Sequence, residues 1–150
     1  MENLYKLVYC SRNRLRGNTA EITKELQDIL KSSRKNNPRL GVTGALLYNS
    51  GNFAQVLEGP LSSVERIFEI IQRDPRHSEV VVVHTGPANK RDFPDWSMAF
   101  MGSNDSSKMP VATAAFESVF SNLEGAGEKM LETLKDLVVT EDEWILLDAA

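Results

Sequence analysis

Cysteine is almost missing from this chain. Cys10 stands alone among 150 residues, which excludes an intrachain disulfide and fits a reducing compartment. Basic charge is also short. Lys and Arg number 17 against 21 Asp and Glu, giving a net charge of −4, and no Lys/Arg block is dense enough to neutralise a run of phosphates. Nucleic-acid binding, which needs a basic surface, is therefore not expected. Long apolar runs are lacking too. The segment Met1–Lys6 carries Glu2 and Lys6, so neither a signal peptide nor a membrane span is expected, and a cytoplasmic protein without membrane contact follows. His77 and His84, with one distant cysteine, make no metal site. Gly41 and Gly44 match neither dinucleotide nor Walker spacing, and no nucleophile motif supports a Ser-His-Asp triad.

What is present suits one domain with a modest extension: 150 residues, 41% of them hydrophobic, with no internal repeat. A run of Gly, Ser, Asn, Asp, Lys and Pro separates two apolar stretches at 102–110. The expected division is a main domain over 1–101, a linker over 102–110 and a helical extension over 111–150, with no catalytic output domain.

Within the main domain, Leu4–Ser11 reads as a strand. Asn18 and Glu21 have the spacing of a helix start, and Ile22, Leu26, Ile29 and Leu30 recur at helical intervals. Pro38 is expected to end that helix. Gly44–Asn49 and Asn52–Glu58 flank a tight hairpin signal, Asn49-Ser50-Gly51. A second helix is expected from about Ser62 to Arg73, opened by a Ser62/Glu65 capping box. The four valines within Glu79–Thr85 predict a strand buried on both faces. Trp96–Met101 reads as a last strand. The order β-α-β-β-α-β-β predicts an α+β, ferredoxin-like sandwich with two helices on one sheet face. The extension offers two further apolar helical faces, Ala112–Leu123 and Met130–Val138, to cover the other.

Two polar features interrupt the apolar faces. Strand alternation puts Gln55 on one face with Phe53 and Leu57, and Tyr9 on one face with Tyr5 and Leu7. An unpaired buried amide costs about 1–3 kcal/mol, so Gln55 requires a backbone, water, side-chain or ligand partner. Likewise, the buried stripe of the first helix turns polar at Ser33 and Asn37. It either reaches solvent there or lines a pocket that is apolar along its length and amide-lined at one end, as suits a planar heteroaromatic ring. Trp96, Met98 and Phe100 share a strand face, which by itself reads as core.

Five segments in order resemble the BLUF family (blue light sensing using flavin): Leu7–Ser11, Ser32–Asn37 leading into Gly41–Tyr48, Phe53–Gly59, Asp74–His77 and Phe93–Met98. The resemblance spans Leu4 to about Phe100 and fades beyond Met101. It implies a blue-light photoreceptor, not an enzyme, binding FAD non-covalently, with FMN as the alternative. Asn37, Asn36 and Ser33 would meet the ring's polar edge. Ile29, Phe53 and Ile71 would pack on the ring, and Arg76 would reach its carbonyl or phosphate side. Tyr9 and Gln55 would be the photoactive pair: light-driven electron transfer from Tyr9, with proton movement through Gln55, would leave the amide rearranged. Trp96 and Met98 would relay the signal to a downstream protein, and a homo-oligomer is expected. Position 70 is Ile where some members carry a basic residue, and Ala54 stands where a larger aliphatic residue is usual. The rival readings are a small flavin-dependent redox enzyme, an acylphosphatase-like hydrolase, or a colourless interaction module on the same fold.

Overall fold

The alternating apolar pattern of the first forty residues folds as expected into a strand and a long helix, β1 (Leu4–Asn13) and α1 (Thr19–Leu40). The computed structural model describes residues 3–13, 19–75, 77–94, 98–103 and 106–138. The anticipated helix start at Asn18 lies outside them. Pro38 does not end α1. The stop is Gly41, whose φ of +71° allows a Schellman cap, with Gly41 N–H donating to Pro38 O (3.2 Å) and Val42 N–H to Asn37 O (3.0 Å). The restriction on the residue before proline is a bias that one helical turn can override, whereas the left-handed glycine reverses the chain.

β2 (Thr43–Asn49) and β3 (Asn52–Pro60) form the hairpin, in the register Asn49↔Asn52 to Thr43↔Glu58. α2 (Leu61–Arg73) starts one residue earlier than expected. Its N-cap is Pro60 and no side chain caps it, so the Ser62/Glu65 box does not form. β4 (His77–Pro87) and β5 (Ala99–Ser103) follow, then one turn of 3-10 helix at Ser106–Lys108, α3 (Pro110–Phe120) and α4 (Ala126–Leu137).

The strand order is β4-β1-β3-β2-β5. Neighbours are antiparallel except β2 and β5, which are parallel, making a ferredoxin-like order extended by one strand. This order corrects the expectation for the valine run. β4 is an edge strand, and Val81 and Val82 are 36% and 43% exposed rather than buried on both faces. β-branched propensity reports a pleated surface, and it does not report position within the sheet.

Strand parity sorts the core into two layers. Leu7, Tyr9, Leu46, Phe53 and Leu57 face α1 and α2, with Leu26, Leu30 and Val64. Val8, Cys10, Ala45, Ala54 and Val56 face α3 and α4, with Ala112, Phe116, Met130 and Leu134. The two C-terminal helices therefore cover the sheet face opposite α1 and α2. Cys10 lies in that second layer, where burial pushes its thiol up to about 12.

At one end of the second layer, charge is buried with its partners. The Glu58 carboxylate accepts from Asp92 N (2.7 Å) and Phe93 N (2.8 Å) and lies 3.4 Å from Lys6 Nζ. Lys6 also pairs with Asp92, which Lys135 of α4 approaches at 3.6 Å. Arg91 donates to Thr43 Oγ1, Glu58 O and Gly41 O. This network pins Arg91, Asp92 and Phe93, which follow β4, across the sheet. Among the described residues no helix is long and apolar enough to cross a membrane.

Candidate functional site

Between α1, α2 and the sheet lies a cavity of about 520 Å³, within the usual range for a small-molecule site. β1 and β3 supply its floor. They place Tyr9 and Gln55 directly opposite each other across an antiparallel pair, with Leu46 opposite Gln55 on the other side. α1 contributes Ile29, Ser32, Ser33, Asn36, Asn37, Arg39 and Leu40, and α2 contributes Arg66, Ile67, Ile70 and Ile71, with Asp74 following. The cavity thus gathers Tyr9, Ile29, Ser33, Asn36, Asn37, Phe53, Gln55 and Ile71 from the sequence-derived set. Arg76 and Trp96 lie outside the described residues. Met98 is fully buried, is not among the lining residues, and meets the site through the Gln55 amide.

The polar core of the site is one short chain of hydrogen bonds. Tyr9 Oη donates to Gln55 Oε1 at 2.5 Å, and Gln55 Nε2 donates to Met98 Sδ at 3.4 Å. Tyr9, Gln55 and Met98 are 1%, 5% and 0% exposed, so both ends of the amide are satisfied away from bulk water. Burial drives the Tyr9 phenol far above its ordinary value, and the neighbouring Cys10 and Asp74 push in the same direction. Tyr9 is therefore a donor throughout the working pH range. Its ring is 5.6 Å from that of Phe68 on α2.

Asn37 is held by the end of its own helix. Its carbonyl accepts the Val42 N–H of the Schellman cap, and its side chain, in a residue only 3% exposed, lines the cavity. Asn36 is nearer the rim, where Nδ2 donates to Ser32 Oγ (3.3 Å) and Oδ1 accepts from Arg39 Nη2 (2.9 Å). The lining fits a flavin ring. Ile29, Leu46, Phe53, Ile67 and Ile71 offer apolar walls, while Asn37, Asn36, Ser33 and Gln55 offer donors and acceptors to carbonyl and imide edges.

Sequence reasoning did not single out Leu46, Ile67, Arg39, Arg66 or Asp74 as lining residues. Leu46 was within reach: a two-residue turn at Ser50-Gly51 pairs Asn49 with Asn52 and so Leu46 with Gln55. Ile67 sits on the apolar stripe with Ile71. Arg39, Arg66 and Asp74 carry no local signal, because only the packing of α1 beside α2 makes them rim residues.

A family model described as "BLUF: Sensors of blue-light using FAD" matches residues 4–99. Photoactivated adenylate cyclase subunit beta of Euglena longa is 39% identical over 75 residues, which is 49% of this chain and 9% of that protein. The blue light- and temperature-regulated antirepressor BluF of Escherichia coli (strain K12) is 36% identical over 73 residues, 49% of this chain and 18% of that protein. The match thus spans less than a fifth of either curated relative. Among solved structures, the dark state of BlrB, a BLUF protein, is 33% identical with a TM-score of 0.71, covering 91% of this chain and 95% of that one. The photo-activated state of BlsA is 28% identical with a TM-score of 0.74, covering 94% and 99%. With the family model matching well over half of its length, the chain belongs to the BLUF family of blue-light sensors that use FAD.

Proposed function

We propose that this chain is a blue-light photoreceptor in which Gln55 is the switch. It holds flavin non-covalently between α1 and α2, as FAD with FMN as the alternative. The observation that carries the reading is a buried amide on the cavity wall, bonded to a phenol on one side and a thioether on the other. Bound flavin supplies blue-light absorption and an excited ring able to take an electron from a nearby phenol.

The protein's part follows from its own atoms. Tyr9 keeps its proton on Oη in the dark and donates it to Gln55 Oε1 at 2.5 Å, so proton movement has a defined path. Gln55 presents a donor and an acceptor on one rotatable group. Exchange of its two ends turns Nε2 toward Tyr9, whose oxygen can accept, and Oε1 toward the Met98 sulfur, which cannot donate. The exchanged arrangement lets Gln55 donate to Tyr9 Oη but takes Oε1 away from the Tyr9 proton and sets it against the Met98 sulfur, so the change is passed to Met98, next to β5. A two-state element of this kind is what a switch requires.

Asn37, Asn36 and Ser33 hold the ring's polar edge in this reading. Ile29, Phe53 and Ile71 pack on its faces, and Arg76 and Trp96 keep the roles the resemblance implies. The sensor is residues 1–101 and the joining segment 102–110. The extension 111–150 carries the signal from a cytoplasmic, homo-oligomeric, non-catalytic protein to a separate downstream protein.

The test is the absorption of the purified protein. It should be yellow, shift slightly to the red under blue light and return in darkness. A colourless preparation that neither FAD nor FMN can reconstitute refutes the reading.

A further inference from the structure

Met98 is where the switch meets the last strand, and its position has a specific cause. The ladder between β2 and β5 begins at Ala45↔Ala99, one residue after Met98. The Met98 carbonyl accepts from Arg34 Nε of α1, at 3.0 Å and 64 positions away in sequence. Gly44 leaves room beneath: a Cβ there would lie 3.5 Å from Met98 Cε and 1.9 Å from Val56 O. Met98 is thus gripped by its backbone from α1 and by its sulfur from Gln55. The two grips are unequal. A thioether is a weak acceptor, whereas a guanidinium donor is charge-assisted and held rigid by its planar fork. The stronger grip holds the Met98 backbone from which the sulfur reaches Gln55.

We propose that Arg34 is a positioning residue of the light switch: by holding the Met98 carbonyl it keeps the sulfur against the Gln55 amide, and so sets how long the rearranged amide persists in darkness. The proposal rests on the reading of Gln55 as the switch. Arg34 is not among the cavity-lining residues, so its role is separable from flavin binding. With Met98 held in place, an exchanged amide points its oxygen at the sulfur, and this repulsion drives the return. Releasing Met98 relieves the repulsion and prolongs the lit state.

The experiment compares the flavin-loaded chain with Arg34→Met, Met98→Leu and the double variant. Arg34→Met should retain flavin and the red shift but recover in darkness about threefold or more slowly, the effect of losing one hydrogen bond. In the Met98→Leu background, where no sulfur remains to be positioned, the same substitution should change recovery by less than about twofold. In the dark, the Gln55 side-chain amide resonances should move in Arg34→Met. Should Arg34→Met fail to fold, Arg34→Lys displaces the donor while keeping stem and charge and serves the same comparison. Unchanged recovery, an equal effect in both backgrounds, or unmoved Gln55 resonances overturn the proposal while leaving the switch standing. No red shift in the unsubstituted chain overturns the switch itself and takes this proposal with it.

Discussion

Glu58→Ala should destabilise the fold by about 3–5 kcal/mol, the usual cost of breaking a buried charge pair by removing one partner. Glu58 is 1% exposed, and its two oxygens accept the backbone N–H groups of Asp92 and Phe93 at 2.7 and 2.8 Å. Bonds to a charged acceptor are worth about 1.5–3 kcal/mol each, so their loss alone accounts for the total. Lys6 keeps Asp92 as a partner, which limits its own share of the cost. Glu58→Gln should recover less than half of the loss, because one amide end would point an N–H at a backbone N–H. Urea unfolding followed by circular dichroism measures this. With a slope of about 2 kcal/mol/M, the alanine midpoint should fall by about 1.5–2.5 M. A glutamine variant as stable as the parent, or an alanine variant within about 1 kcal/mol of it, would refute the reasoning.

Asn37→Ala should weaken flavin binding by about 1–3 kcal/mol, read from flavin fluorescence titration, since it leaves ring polar atoms unpaired. Gly44→Ala should destabilise by about 1–3 kcal/mol or more, measured by thermal melting, because its Cβ would meet backbone at Val56 O 1.9 Å away, which cannot yield as a side chain end can. Burial alone would raise the Asp92 carboxyl, but its hydrogen bond and charge pairing with Lys6, and then Lys135, hold it below its ordinary 3.8. A depressed carboxyl contributes stability that is present above its unfolded value and lost as pH falls through the folded one. Asp92→Asn should therefore flatten the loss of stability measured below about pH 4.

Much of the site was legible because strand parity is exact. Counting in twos put Tyr9 and Gln55 on definite faces, and the antiparallel pairing of β1 with β3 sets them opposite one another. The polar end of the α1 stripe, Ser33 and Asn37, likewise lines the cavity. What stayed hidden depends on tertiary placement. The end of α1 is decided by the left-handed Gly41 rather than by Pro38. The valines of β4 look like a central strand but occupy the sheet edge. The contacts of Met98 with Gln55 and Arg34 join residues 43 and 64 positions apart, and no local pattern encodes them.

Light-minus-dark absorption spectra of the flavin-loaded chain and its Gln55→Leu variant test the central claim most directly. Leucine fills similar volume but offers Tyr9 no acceptor and Met98 no donor, so flavin should remain bound while the reversible red shift disappears. A Gln55→Leu protein that shifts to the red and recovers as the parent does would contradict the account.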